Sequence, residues 1–389
     1  MTREPIDAAV LLEELARIDS RNPDLSPDSA GERALAERVA QIVAGLGMDV
    51  RLIPVLDDRP NLVAVLPGVD SDATVIFEAH LDTVPADAGT REVRREGRRL
   101  YGRGTCDTKG SLAAMIAAID RLSRTAGPRP TVLLACAVDE EYLMRGAGQL
   151  ATELPSADVV VVGEPTSLVP ARAHNGFLRF RVEVLGRSAH SSRAALGVNA
   201  INQAARLVLA LDATVGERRR ASPHPLAGHA LLSATMVDGG IAPNVIPDRC
   251  SVLFDRRVAP GERPEEALAE AYEAIAQICE RESITVELPE PLVSLGALET
   301  PPDAVAVVAA EAAASRALGR DVSAGGVTFS TDACCFYDRP DLPSVVLGPG
   351  SIDEAHGSVE WIELDDVDTA VRIYYDLAMT AHTIRQEHR

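Results

Sequence analysis

The chain has 389 residues, with 38 Lys+Arg against 58 Asp+Glu and a formal net charge of −20. That balance excludes a nucleic-acid binder, which needs a basic face, and a protein that docks on an anionic membrane. Hydrophobic residues at 46% allow a sizeable core, aromatics at 3% mean that Ala, Val, Leu and Ile must build it, and the length suggests two domains, or three.

The first twenty residues, MTREPIDAAVLLEELARIDS, combine acids with an amphipathic rhythm, which predicts a helix and not a signal peptide. Apolar, β-branched runs follow at 61–65 (NLVAV), 74–80 (TVIFEAH), 131–138 (TVLLACAV), 158–164 (DVVVVGE) and 343–348 (PSVVLG). They are continuous rather than alternating, as expected of strands buried on both faces. Between them lie Ala-rich helical stretches such as GSLAAMIAAIDRL at 110–122. This alternation predicts an α/β fold with a mostly parallel sheet covered by helices. The basic stretch RREGRRL at 94–100 is short and flanked by acids, and it reads as a solvated hairpin.

The pattern changes near residue 176. FLRFRVEVLG (177–186) alternates apolar and charged residues, the mark of a half-buried antiparallel strand. A helix at 199–215, strands at 230–239 and 249–258, a helix at 263–282 and a strand at 283–288 complete a β-α-β-β-α-β order, the ferredoxin-like signature. The expected organisation is a discontinuous catalytic domain, 1–175 and 289–389, with an inserted α+β domain at 176–288. No apolar run reaches the ~18 residues of a membrane span. Six cysteines without framework spacing fit reduced thiols in a cytoplasm, and Lys109 is the only lysine.

The chemistry gathers where the apolar strands stop. TVIFEAH ends at His80, followed by Asp82; TVLLACAV runs into Asp139, Glu140 and Glu141; DVVVVG runs into Glu164; PSVVLG leads to Asp353, Glu354 and His356. Asp107 sits in the Gly-rich loop GRGTCDTKG before a helix. In open α/β sheets the site lies outside the carboxyl ends of the strands. Each signal has a plain alternative: a salt-bridged histidine, an acidic helix start, a turn before proline. Their joint occurrence at one end of the sheet favours a metal centre. No nucleotide loop of the G-x-G-x-x-G or Walker type, no G-x-S-x-G elbow and no C-x-x-C pair is present. Two histidines and three carboxylates suit two divalent ions, zinc first, with cobalt or manganese as alternatives. One carboxylate must bridge ions that sit about 3.5–4 Å apart, and a neighbouring acid that is not a ligand can deprotonate the bridging water. The residues alone do not say which acid does which.

The chain resembles the M20 metallopeptidase family, in EAHLDTVPA (78–86), LYGRGTCDTKGSLAAM (100–115), VDEEYLMRGA (138–147), GEPTSLVPARAHNG (163–176), GRSAHSS (186–192), GVNAI (197–201), GGIAPNVIPD (239–248), DRRVAPGE (255–262) and LGPGSIDEAH (347–356). The 163–176 and 347–356 segments look most like the acetylornithine deacetylases of that family. The resemblance implies that His80 and Glu164 bind one metal, Glu141 and His356 the other, and Asp107 both. It implies Asp82 behind His80, holding its tautomer, and Glu140 as general base and then acid. It further implies a cytoplasmic homodimer through the inserted domain, which also closes as a lid. His190 would reach the partner's site as an oxyanion donor, with Asn244 and Arg257 on the substrate and Arg256 as the alternative clamp. His174 is open between a substrate contact and a hinge; Cys106 reads as packing, with a thiol ligand as the alternative; Cys334 and Cys335 read as buried small residues, with a place near the substrate pocket as the alternative; and His224, His229, His382 and His388, in loop or tail contexts, have no expected role.

The expected activity is a di-zinc amidohydrolase that removes an acetyl group from an N-acyl amino acid such as N-acetylornithine. Alternatives are a succinyl-diaminopimelate desuccinylase, a carboxypeptidase or dipeptidase on the same scaffold, and a catalytically silent protein that binds N-acyl amino acids or peptides. The complete ligand set with Glu140 speaks against the last.

Overall fold

The computed structural model describes residues 4–87, 89–221 and 223–387. The chain divides into two compact units. The first takes residues 1–173, 300–326 and 331–389, and the second takes 174–299 and 327–330.

In the first unit the strands lie across the sheet in the order Asp49–Leu56, Arg59–Leu66, Thr131–Ala137, Thr74–His80, Val159–Val162, Ser344–Val346 and Ala171–His174. The four central strands, from Thr131–Ala137 to Ser344–Val346, are mutually parallel. Both flanks turn antiparallel. The continuous apolar runs are buried on both faces, as their sequences require. The run at Arg59–Leu66 is equally buried although it pairs antiparallel on both sides. Because the central strands are parallel, their carboxyl ends share one edge. That edge receives His80, the Asp139–Glu141 turn and Glu164.

The helix Lys109–Ser123 supplies much of the packing behind that edge. Its Ala-rich sequence favours helix, and Leu112, Met115, Ile116 and Ile119 are fully buried. Each such side chain contributes about 1.5–3 kcal/mol on burial. The helix is buried nearly all round, so an Ala118→Leu change would overpack it, at about 1–3 kcal/mol. Gly163 lies against it: a Cβ there would come within 2.8 Å of Ser111 Cβ and Met115 Cε, so only glycine lets the strand approach. The C-terminal helix Leu364–Glu387 covers the same core, and the hydroxyl of its Tyr374 donates to the Leu347 carbonyl at 2.8 Å. Among the described residues no helix is long and apolar enough to cross a membrane. The basic stretch at 94–100 is indeed a hairpin, Arg94–Glu96 against Arg99–Tyr101, with a third strand at Trp361–Glu363.

The second unit has a sheet ordered Leu232–Gly239, Arg249–Val258, Gly176–Leu185 and Thr285–Glu287, all antiparallel. The first strand therefore lies between the third and fourth, the placement that a β-α-β-β-α-β order gives. Gly176–Leu185 alternates buried and half-buried positions, as FLRFRVEVLG reads. The helices Ala200–Leu211 and Pro264–Glu282 fill the core with Ala204, Leu207, Ala271 and Ile275, and Phe180 stacks on Phe254 at 5.3 Å. The unit runs further than residue 288, because Val293–Leu295 also pairs with Gly176–Leu185.

Candidate active site

Five residues from three separate strand ends and two loops meet in the first unit. His80 closes its strand with 2% of its surface exposed. Its Nδ1 donates to the Asp82 backbone carbonyl at 2.9 Å, which leaves Nε2 directed at the acids. His80 Nε2 lies 3.0 Å from Asp107 Oδ1 and 3.7 Å from Glu164 Oε1. His356 Nε2 lies 3.1 Å from Asp107 Oδ2 and 3.1 Å from Glu141 Oε2. The two oxygens of Asp107 thus face two different histidines, and each histidine has one further carboxylate of its own. Ligand atoms of His80, Asp107 and Glu141 all lie within 4.8 Å of one another. Nitrogen and carboxylate donors in this 2-to-3 ratio, one carboxylate presenting an oxygen to each half, fit two divalent ions.

The electrostatics show what the cluster lacks. Burial would raise the Asp107 carboxyl, but hydrogen bonds from His356 and His80 outweigh it and hold it well below the usual carboxylate range. The same bonds, from Asp107 first and Glu141 second, push His356 up to about 11. Burial would lower His80, yet Glu164 and Asp107 lift it well above its ordinary value. Burial, reinforced by Asp107, raises Glu164 and Glu141. Raised acids and raised histidines packed together mark a place where positive charge is needed, as a cation supplies.

Glu140 is not among the groups that meet the histidines. Burial raises its carboxyl well above the usual range, with His80 opposing and Asp332, Glu141 and Asp107 adding to the rise. Its backbone is held by Asp82, whose carboxylate does something other than touch His80. Asp82 Oδ1 accepts from the Glu140 N–H at 3.0 Å, and Oδ2 accepts from the Glu141 N–H at 3.1 Å and from Asn22 Nδ2 at 2.8 Å. The nearest approach of that carboxylate to His80 Nδ1 is 3.8 Å. The tautomer of His80 is therefore set by the Asp82 carbonyl, and the Asp82 side chain instead clamps the turn that carries Glu140 and Glu141.

Sequence reasoning missed four residues here. Asn22 bridges Asp82 and Asp139, both buried. Glu360 accepts from the N–H groups of Cys106 and Asp107 at 3.0 and 3.2 Å and is itself paired with Arg103 at 2.7 Å. Glu78 and Asp332 are fully buried carboxyl groups behind His80 that, among the described residues, have no other hydrogen-bond partner than each other. Burial pushes Glu78 up to about 8. Glu78 stood in a quoted motif; Glu360, Asn22 and Asp332 carry no spacing signal.

The residues of the second unit stand as follows. His190 is exposed, and its Nδ1 accepts from the Ser192 N–H at 3.2 Å, capping a short helical turn. Asn244 is exposed in the turn before residue 245, and its carbonyl accepts from the Ser191 N–H. Strand alternation separates the two arginines: Arg256 is fully buried and paired with Glu262 at 2.6 Å, whereas Arg257 is partly exposed and bonds Asp255 and Ser330. His174 is fully buried, and burial lowers it to about 4, so it is neutral. In the first unit, Cys106, Cys334 and Cys335 are buried, and Cys106 and Cys335 have thiols raised by burial, consistent with packing. His382 is buried beside Ser71, His224 caps its own turn, His229 lends a backbone carbonyl to Asn175, and His388 lies outside the described residues.

The family model of the peptidase family M20/M25/M40 matches residues 76–380. The acetylornithine deacetylase of Yersinia pseudotuberculosis serotype O:1b is 33% identical over 373 residues, covering 90% of this chain and 92% of that protein. That of Vibrio cholerae serotype O1 is 29% identical over 361 residues, covering 89% and 90%. Among solved structures, an M20 family metallo-carboxypeptidase from Sulfolobus solfataricus superposes with a TM-score of 0.80 at 18% identity, over 97% of this chain and 100% of that one. A dinuclear metal binding peptidase of the M20 family from Bacillus subtilis gives 0.70 at 17%, over 97% and 98%. The match takes in every strand end that delivers a residue to the cluster, and the chain accordingly belongs to the M20/M25/M40 peptidase family and is a hydrolase of that family.

Proposed function

We propose that the chain is a two-metal amidohydrolase that removes the acetyl group from an N-acetyl amino acid, N-acetylornithine being the first candidate. The observation that carries it is the split Asp107 carboxylate, one oxygen to each histidine, in a chain whose relatives include acetylornithine deacetylases. His80 and Glu164 would hold one ion, His356 and Glu141 the other, and Asp107 both. Zinc fits this nitrogen and carboxylate set best, with cobalt or manganese next. When bound, such ions would polarise the scissile carbonyl and lower the pKa of the attacking water.

The chain's own residues do the rest. Glu140 removes a proton from the attacking water, whose oxygen bonds to the acyl carbon. The same carboxyl then returns the proton to the nitrogen as the C–N bond breaks. The Asp82 clamp keeps Glu140 fixed beside the ligand Glu141. Arg257, the outward-facing arginine, would bind the substrate carboxylate, with Asn244 beside it.

A homodimer through the second unit belongs to the same reading. Its edge strand Leu232–Gly239 and the helix Ala200–Leu211 expose Met236 at 66%, Val237 at 70% and Leu209 at 72% around an apolar groove of about 490 Å³. An apolar edge strand of this length calls for a partner. His190 would act in the partner's site as an oxyanion donor. A hydrolysis panel of N-acetyl and N-succinyl amino acids and dipeptides, with added Zn²⁺ or Co²⁺, tests the function. N-Acetylornithine should be the fastest substrate; dipeptides cut faster than any N-acyl amino acid would overturn the deacetylase reading in favour of a peptidase.

A further inference from the structure

A second polar cavity, of about 190 Å³, opens in the first unit and contains none of the proposed metal ligands. Its lining includes Lys109, the only lysine of the chain. Lys109 begins the helix Lys109–Ser123 and is 2% exposed. Its Nζ donates to the Ile18 carbonyl at 2.8 Å, which uses one of three N–H groups. No carboxylate among the described residues pairs with it. The two acids whose field reaches it are already spent. Asp19 is held by Arg21 through both oxygens, at 2.9 and 2.8 Å. Glu360 is held by Arg103 and two backbone N–H groups.

Ser20 lines the same cavity. It is 1% exposed, and its Oγ has no hydrogen-bond partner among the described residues. Arg21, Arg91 and Arg103 line the same wall but are already paired, Arg21 with Asp19 and Asp28, Arg91 with Asp28 and Arg103 with Glu360, so the uncompensated charge is that of Lys109. Buried charges are normally paired, because desolvation is costly. Water can fill a cavity of this size and satisfy the free N–H groups, at about 30 Å³ per molecule, but it brings no charge. What meets an unpaired ammonium beside an idle hydroxyl is a small acceptor-only species.

We propose that this cavity binds a small oxyanion, a carboxylate or a phosphate, with Lys109 as its charge partner and Ser20 as a hydrogen-bond donor. The volume admits an anion of a few heavy atoms with one or two waters, and excludes a nucleotide. The site is distinct from the metal cluster in its residues, so the proposal stands whether or not the deacetylase reading does.

Because the chain has one lysine, the enzyme labelled with ¹³C,¹⁵N-lysine gives a single Lys109 side-chain signal. The metal-loaded full-length protein is titrated with sodium acetate, sodium phosphate and sodium chloride at constant ionic strength. A saturable shift of the signal with acetate or with phosphate, and none with chloride, is the expected result, and the arm that saturates identifies the anion. Ser20→Ala should weaken that saturation about tenfold, the worth of one hydrogen bond to a charged group, with circular dichroism and hydrolysis unchanged. A signal unmoved by both oxyanions overturns the proposal. So does a Ser20→Ala titration that superimposes on the wild type, since the shift would then arise from anions at the metals.

Discussion

Asp82→Asn separates two roles that the same side chain could play. The carboxylate is 1% exposed and accepts three hydrogen bonds, one at Oδ1 from Glu140 N–H and two at Oδ2 from Glu141 N–H and Asn22 Nδ2. Asparagine has the same shape but a single acceptor. Its carbonyl oxygen should take the Oδ2 place, where two donors converge, and its amide nitrogen then faces the Glu140 N–H, donor against donor. One charge-assisted bond is lost at Glu140 while the bonds at Glu141 and Asn22 persist. Such a bond is worth about 1.5–3 kcal/mol, or about 10–100-fold in rate if it is expressed in the transition state. The expected outcome is a kcat lowered by about that factor, KM little changed, and a metal content lowered much less than kcat. Steady-state kinetics with elemental analysis of the same dialysed sample checks it. A variant that loses metal in proportion to activity, with normal turnover per bound metal, would refute the clamp and return Asp82 to the service of His80.

Four other expectations follow from the site. Glu140→Ala should lower turnover by about 10²–10⁴-fold with metals retained, whereas Glu141→Ala should lose metal; elemental analysis that shows the reverse would exchange the two roles. Arg257→Ala should raise KM for substrates with a free α-carboxylate by at least tenfold with little effect on kcat, and an unchanged KM would move the clamp to another residue. Chelated protein should lose stability as the pH rises between about 6.5 and about 11. His356 is raised from 6.5 to about 11 by Asp107 and Glu141, so its contribution is complete below the unfolded value and gone above the folded one; thermal melts that stay flat across that window would disprove it. Mixed dimers of Glu140→Ala and His190→Ala chains should recover about a quarter of wild-type activity, since half the dimers are mixed and each has one complete site; no recovery after demonstrated subunit exchange would exclude a role for His190 across the interface.

What the sequence made legible was whatever burial and parallel pairing enforce. An apolar run that stops at a polar residue marks a strand end, and parallel strands put their ends on one edge, so His80, Glu141 and Glu164 could be grouped before any coordinates. Asp107 and His356 sit in loops, and the family motifs placed them. The sheet margins were not legible: Arg59–Leu66 is as apolar as a parallel strand because it is covered on both faces, and burial says nothing of direction. The three residues Val293–Leu295 are too few to show a period. The resemblance set Asp82 behind His80, but a sequence cannot tell whether the carbonyl or the carboxylate of that residue makes the contact. Glu360 accepts from backbone amides and Asn22 donates to carboxylates far away in the chain, and no local pattern announces such partners.

The acids crowded around His80 also bear on how metal uptake is measured. Burial raises Asp332, Glu140 and Glu164, and with Glu78 pushed up to about 8 by burial and His356 to about 11 by Asp107 and Glu141, the metal-free site carries bound hydrogen ions at neutral pH. Loading then becomes an exchange reaction, in which hydrogen ions leave for the buffer as divalent ions enter. The heat recorded in a calorimeter is therefore partly the buffer's own ionisation heat. Titrations in two buffers of equal pH but different ionisation enthalpy should disagree, and the slope between them counts the hydrogen ions released.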